Sequence, residues 1–237
     1  MSKLYFFRHA QASYLADNYD QLSSKGELQS AELGKYLVEK KVQFDKIFVG
    51  PLERQKHTFE IVRDIYSKAN LNIPEPTFLN ELKEHEGTEG VHHAMPELVK
   101  TVPQIQKWHE EMTENPTLRK RNTLLAFQYF MDEWVEGKIE TPNVEPWETF
   151  RNIVRNGLNQ ILESTGRGET VGTFTSGGTI SSITAEALNI RDEKRVAAMN
   201  FSVRNTSFST FLYSKNQFNL LSFNELPHLE KEMITFV

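Results

Sequence analysis

Three stretches of this chain repeat one arrangement: an apolar run short enough for a strand, a tight turn, then a helix-length segment with apolar residues on one face. The first run is Leu4-Tyr5-Phe6-Phe7, ending a strand over residues 3–7. After a loop, Ser24-Lys25-Gly26-Glu27 has capping-box spacing, and Leu28, Ala31, Leu37 and Val38 continue an apolar stripe to about Lys40. Residues 44–49 read as a second strand, Gly50-Pro51 as a turn, and a helix follows from near Leu52 with Phe59, Val62, Ile65 and Tyr66 on one side. Much later, residues 170–175 form a strand, Ser176-Gly177-Gly178 a turn and residues 179–188 a helix. Strands that alternate with one-faced helices bury both sheet faces, so the pattern predicts an α/β fold of three layers, α/β/α, with a mostly parallel central sheet. A short run at 77–79 is a further strand candidate. Residues 208–213 and 218–223 read as closing strands, with Lys215-Asn216 between them as a hairpin that adds an antiparallel edge.

The middle differs in texture. From about Glu89 to Glu163 there is almost no strand pattern, and three helices are predicted, starting near Met95, Pro116 and Pro146. Trp108, Tyr129, Phe130, Trp134, Trp147 and Phe150 lie among them, and an insertion of this length must bury a face of its own, so these rings read as core rather than substrate platform. The chain therefore reads as one domain over 1–237 with a helical cap insertion at 90–145. Its 237 residues, 38% hydrophobic, suffice for one sizeable core.

Composition narrows the chemistry. With no cysteine, neither a disulfide framework nor a thiolate nucleophile is available. A net charge of -5 argues against a phosphate-backbone binder, and Arg119-Lys120-Arg121 reads as a solvated helix surface, so no nucleic-acid partner is expected. The N-terminal segment reads as a strand rather than a targeting helix, and no run is long enough to span a bilayer. The expectation is a cytoplasmic protein without a membrane partner; no feature of the sequence speaks to oligomeric state.

Candidate chemistry gathers where strands end, as it does in open α/β sheets. Arg8 and His9 follow the first strand, a cation beside a potential nucleophile. Arg54 stands in the first turn of the helix after the second strand, where the helix dipole alone disfavours a cation. An anion between Arg54 and Arg8 removes that objection, and a phosphoryl group suits two guanidinium forks. The helix N-terminus after Gly177-Gly178 offers backbone N–H groups to the same anion. Glu81, Glu84, Glu86 and Glu89 follow the strand candidate at 77–79, and one of them can protonate a leaving group.

In this order the residues resemble the histidine phosphatase superfamily, the phosphoglycerate mutase-like fold, and most of all its uncharacterised bacterial members. Its Arg-His-Gly motif is matched by Arg8-His9-Ala10, its Leu-Ser-x-x-Gly-x-x-Gln element by Leu22-Ser23 through Gly26 and Gln29, and its second arginine motif by Gly50-Pro51-Leu52-Glu53-Arg54. Its Leu-x-Glu motif falls on Leu82-Lys83-Glu84, and its last strand-turn-helix motif on Thr175-Ser176-Gly177-Gly178. The similarity runs from Lys3 to about His228 and is weakest in the cap. Two positions depart from the family: Ala10 replaces a glycine, and Ser176 replaces a histidine of the phosphate pocket. Loss of that charge-assisted contact, if nothing replaces it, costs about 2 to 4 kcal/mol by analogy with an oxyanion donor.

The resemblance implies a metal-independent, acid-phosphatase-like phosphomonoester hydrolase with no cofactor, acting on a small phosphorylated metabolite through a phosphohistidine. In that reading His9 is the nucleophile, Arg8 and Arg54 neutralise phosphoryl oxygens, and Glu84 is the preferred acid with Glu81 the alternative. Ser176 and Gly177 join the phosphate site. Gln11 and Ser13 either reach phosphate or cap the loop. Gly26 and Gln29 set helix packing, Asn205-Thr206-Ser207 supports the loop behind the site, His57 is a surface or core-edge residue, and Asp17 and Asp20 form turns. His85 and His92-His93 do not have the spacing of a metal site. The alternatives are a weakly active or non-catalytic phosphate-binding protein and a phosphoglycerate mutase-type phosphotransferase.

Overall fold

Alternation along the first strand, β1 (Ser2–Arg8), decides how the two faces of the sheet are built: Leu4 and Phe6 point one way, Tyr5 and Phe7 the other, and all four are buried. The computed structural model describes residues 1–13, 20–215 and 217–236. The chain continues through α1 (Ser24–Glu39), β2 (Lys46–Val49), α2 (Glu53–Lys68) and β3 (Pro76–Phe78). Next come α3 (Gly87–Thr101), α4 (Pro103–Glu114), α5 (Arg119–Trp134) and α6 (Trp147–Ser164). It closes with β4 (Thr170–Thr175), α7 (Gly177–Leu188), α8 (Glu193–Asn200), β5 (Phe208–Ser214) and β6 (Gln217–Glu225). The strands form one sheet in the order β3-β2-β4-β1-β5-β6, with β3, β2, β4 and β1 paired in parallel and β5 antiparallel to both its neighbours.

Each face has its own core. Tyr5, Phe7 and Phe174 pack with Leu33 and Leu37 of α1 and with Phe59, Val62 and Tyr66 of α2. Phe7 and Phe174 stack at 4.8 Å between ring centroids. On the opposite face Leu4, Phe6 and Val171 meet Ile180 and Ile183 of α7 and Phe150, Val154 and Ile161 of α6, and this core runs on without a break into Phe130 and Trp134 of α5. The fold is the expected three-layer α/β/α arrangement around a mostly parallel sheet. Arg151 of α6 is buried and ties the helical layer together, donating to Glu193, Glu186 and the Ser182 carbonyl.

Several local expectations are corrected. The cap of α1 is Ser23, one residue before the expected start, and its side chain accepts from Gly26 N–H. The buried face of α1 is Gly26, Gln29, Ser30, Leu33, Gly34 and Leu37, which leaves Leu28 60% exposed. The first helix of the middle region starts at Gly87, not near Met95, because Pro96 is accommodated inside α3 instead of opening a helix. A helix absent from the sequence reading, α4, begins at Pro103, where proline stands in the first turn that tolerates it. Four helices thus fill residues 87–164 where three were expected. Phe130, Trp134, Trp147 and Phe150 are buried, and Trp108 and Tyr129 partly so, as core rings should be. Asp17 and Asn216 lie outside the described residues.

Two consequences can be measured. A Cβ added at Gly26 would stand 2.2 Å from the Gln11 carbonyl oxygen, a backbone atom that cannot swing aside. Gly26→Ala is therefore expected to destabilise the fold by about 1–3 kcal/mol in urea unfolding, the usual range for overpacking. His228 stacks on Phe208 and hydrogen bonds Thr206, and burial pushes its pKa down to about 4, with Glu32 acting weakly in the opposite sense. Because the folded value lies below the unfolded one, the neutral ring stabilises the fold above pH ~6.5, and this is lost as pH falls towards 4, for about 3 kcal/mol in all. His228→Gln is expected to flatten this part of the pH profile; equal losses in both proteins would refute the assignment.

Candidate functional site

Parallel pairing brings the functional loops to one edge. Arg8 is level with Thr175 and Val49 with Phe174, so β1, β4 and β2 end side by side. The backbone confirms the alignment just past the strands: His9 N–H donates to Thr175 O at 2.9 Å and Gly50 N–H to Phe174 O at 3.0 Å. From behind, Arg8 N–H donates to Ser207 O, while Thr206 N–H and the Asn205 amide donate to His9 O. Asn205-Thr206-Ser207 thus satisfies and fixes the backbone that carries His9.

His9 is buried and its two ring nitrogens have different partners. Nδ1 lies 2.8 Å from the Ala10 carbonyl, which can only accept, and Nε2 receives Arg54 Nε–H at 3.1 Å. The tautomer is set by these partners: the proton is on Nδ1 and the lone pair on Nε2. Burial, then the charges of Arg54 and Arg8, hold the imidazole well below its ordinary pKa, and the Ala10 bond offsets only part of this. The site therefore holds a neutral histidine whose Nε2 lone pair accepts from a guanidinium.

The two arginines are anchored differently. Arg54 Nη1 pairs with Asp20 at 2.7 Å, and the same carboxylate accepts from the Glu53 N–H at 2.9 Å, capping the N-terminus of α2. The Arg8 guanidinium donates to Val203 O and to Phe236 O, and a Cβ placed on Gly177 would stand 3.5 Å from Arg8 Nε. Arg8 thus lies along the first turn of α7.

Of the two acid candidates, Glu84 lies at the N-terminus of α7, accepting from Gly178 N–H at 3.1 Å and from His85 N–H at 2.9 Å. Glu81 is in the 3₁₀ turn Asn80–Leu82 and turns towards α6, where a Cβ on Gly157 would stand 2.7 Å from its own Cβ. His85 is boxed by Trp134, Trp147 and Phe150, accepts from Gly87 N–H at Nδ1 and meets the Asn200 side chain at Nε2. Ser176, fully buried, is the cap residue of α7, and its Oγ accepts from Gln55 Nε2 at 2.8 Å.

Other candidates turn elsewhere. Ser13 Oγ donates to the Leu22 carbonyl and closes the loop. Gln11 holds the α1 cap, with its side-chain oxygen accepting from Ser23 Oγ and its backbone N–H donating to Gln29. Gln29 reaches further, to Met233 O and Thr235 Oγ1, so Gly26 and Gln29 do serve packing. His57 is half-buried on α2, and His92 and His93 are exposed on α3. The sequence assigns no role to Gln55, treats His85 only as a metal ligand to be rejected, and leaves Asp20 a turn former rather than the partner of Arg54. The adjacency of Gln55 to Arg54 was the one available signal for the first; nothing local marks the other two.

A family model described as histidine phosphatase superfamily (branch 1) matches residues 4–128 and 118–226. No match is found among curated protein sequences. Among solved structures, Bacillus stearothermophilus YhfR is similar with a TM-score of 0.67 at 20% identity, covering 97% of this chain and 100% of that one. A mutant phosphoserine phosphatase from Entamoeba histolytica in complex with phosphoserine gives 0.65 at 18% identity, covering 97% and 100%. A putative alpha-ribazole-5'-P phosphatase from Escherichia coli gives 0.63 at 19%, covering 95% and 98%. At these identities the likeness concerns the fold, which is phosphoglycerate mutase-like. With the family model spanning nearly the whole length, the chain belongs to the histidine phosphatase superfamily.

Proposed function

We propose that this protein is a phosphomonoester hydrolase that works through a phosphohistidine on a small phosphorylated metabolite. The observation that carries the reading is His9: a buried imidazole, its proton held at Nδ1 by Ala10 O and its Nε2 lone pair directed at Arg54. A phosphoryl group entering there replaces the Arg54–His9 contact and takes the guanidinium N–H groups for its own oxygens. The Nε2 lone pair attacks phosphorus in line, the P–O ester bond breaks, and Arg8 and Arg54 neutralise the equatorial oxygens. Glu84 gives its proton to the departing alkoxide. As carboxylate it then takes a proton from water, whose oxygen attacks phosphorus, breaks the P–N bond and releases phosphate with His9 neutral again. Ser176 and the Gly177 end of α7 complete the phosphate surroundings, while Gln11 and Ser13 hold the neighbouring loop and the α1 cap. No metal or cofactor enters this scheme.

Residues 90–145 act as the cap, and substrate choice belongs to it. The support is mechanical: His85, the neighbour of Glu84, packs against Trp134 of the cap and against Trp147 and Phe150 of α6. The phosphoserine phosphatase from Entamoeba histolytica has been seen in complex with phosphoserine and with 3-phosphoglyceric acid, small phosphorylated molecules of the class proposed here. Ser176 in place of a second histidine favours one further reading, a protein that binds phosphate and turns it over weakly or not at all.

Acid-quench labelling with a phosphomonoester panel separates the readings. A labelled enzyme that disappears in His9→Ala is expected, while phosphate binding without a covalent species would establish the weaker reading. Glu84→Gln is expected to slow turnover about 10²–10⁴-fold, as for loss of a general acid–base group, with little change in phosphate affinity, and Glu81→Gln to behave as wild type. Because His9 stays neutral well below its ordinary pKa, the acid side of the kcat/KM profile is expected to persist below pH ~6.5 without a break from the nucleophile. Titration of the His9 ring near that pH, followed by NMR, would contradict the assigned state.

A further inference from the structure

We infer that Gln55 is a positioning residue that turns the Ser176 hydroxyl into an oriented hydrogen-bond donor for the phosphoryl group, an inference that rests on the phosphate site proposed above. Gln55 follows Arg54 on α2 and is fully buried. All three of its polar bonds are assigned by the chemistry of its partners. Its Oε1 accepts from the Leu52 backbone N–H at 3.1 Å, and its Nε2 donates to the Leu82 carbonyl at 3.1 Å and to Ser176 Oγ at 2.8 Å. Rotating the amide by half a turn would set oxygen against the Leu82 carbonyl and N–H against the Leu52 N–H, so the backbone itself fixes which end faces Ser176.

The consequence falls on one proton. A hydroxyl that accepts from an amide cannot direct its own hydrogen back along that bond, so the Ser176 O–H points away from Gln55. The residue stands among the site groups: Thr175, before it, accepts the His9 N–H; Gly177, after it, lies against Arg8; and Gly178 holds Glu84. Gly50 makes the arrangement possible, since a Cβ there would lie 2.1 Å from Gln55 Oε1. The pair thus supplies, without charge, a fixed donor at the position where the family carries histidine.

The test is a double-mutant cycle read by binding of orthovanadate, a phosphoryl-transfer mimic, to the purified full chain. Ser176→Ala is expected to weaken vanadate binding about tenfold or more, the scale of a hydrogen bond to a charged group. Gln55→Met should produce a comparable loss, and Gln55→Met combined with Ser176→Ala should be no weaker than Ser176→Ala alone. Should Gln55→Met fail to fold, Gln55→Glu takes its place in the same cycle, because its carboxylate still accepts from Leu52 N–H but draws the Ser176 proton towards itself. Full additivity, or wild-type binding by either single variant, would overturn the inference. Acid-quench labelling of wild type judges the phosphatase reading separately: vanadate binding with a non-additive cycle but no phosphoenzyme removes the reading and keeps the Gln55–Ser176 pair, whereas no vanadate binding by wild type removes both.

Discussion

The parallel register of β1 on β4 is the constraint on which the site depends. It sets Arg8 beside Thr175, so the residues just beyond, His9 and Ser176, emerge side by side, locked by the His9 N–H to Thr175 O bond. A slip of one residue would turn Tyr5 and Phe7 from the α1–α2 core into the α6–α7 core and send Leu4 and Phe6 the other way. The exchange would force four large side chains into cores shaped for others, and misfit of this kind costs roughly 1–3 kcal/mol per overpacked site. The edge that carries the candidate site is therefore aligned by apolar packing some distance below it, and the polar groups at the edge need not align themselves.

A second regularity is electrostatic. Both helices that start at this edge have a carboxylate from elsewhere in the chain on their first turn: Asp20 on α2 and Glu84 on α7. A helix N-terminus carries partial positive charge and unpaired N–H groups, which these oxygens satisfy. Asp20 also neutralises Arg54, a cation at the unfavourable end of its helix. In the reading proposed here an incoming phosphoryl group meets an edge whose positive groups are already partly balanced, and it gains from Arg54 only what exceeds the Asp20 contact. Such internal competition moderates ground-state binding while leaving the guanidinium available to the equatorial phosphoryl oxygens in the transition state.

How legible this was in the sequence follows from the range of each signal. Strand runs such as Leu4-Tyr5-Phe6-Phe7 and the turns Gly50-Pro51 and Ser176-Gly177-Gly178 are local, and the sheet with its strand-end arginines and histidine could be read from them. The face of α1 could not, because Gly26 and Gln29 owe their burial to Gln11 and to Met233 and Thr235, and so Leu28 lost its place in the stripe. Met95-Pro96 resembled a helix start because proline is most at home there, whereas packing of Ala94 and Leu98 carries α3 through it. Nor does the sequence show how far Glu81 and Glu84 diverge in space, although Leu79-Asn80-Glu81 and Leu82-Lys83-Glu84 share one pattern: one falls inside a 3₁₀ turn against α6 and the other beyond it.

The exchange of histidine for serine is also less drastic in this setting than it is on paper. A serine alone in that place would keep a hydroxyl free to rotate, so a phosphoryl oxygen would have to order it on binding. Gln55 has already ordered it, and the cost of holding Gln55 is carried by backbone groups, Leu52 N–H and Leu82 O, that need partners in any case. What the substitution removes is charge. In the reading proposed here phosphoryl transfer draws its positive charge, among the described residues, from Arg8 and Arg54, which makes the Asp20 contact on Arg54 weigh more than it would beside an additional cation.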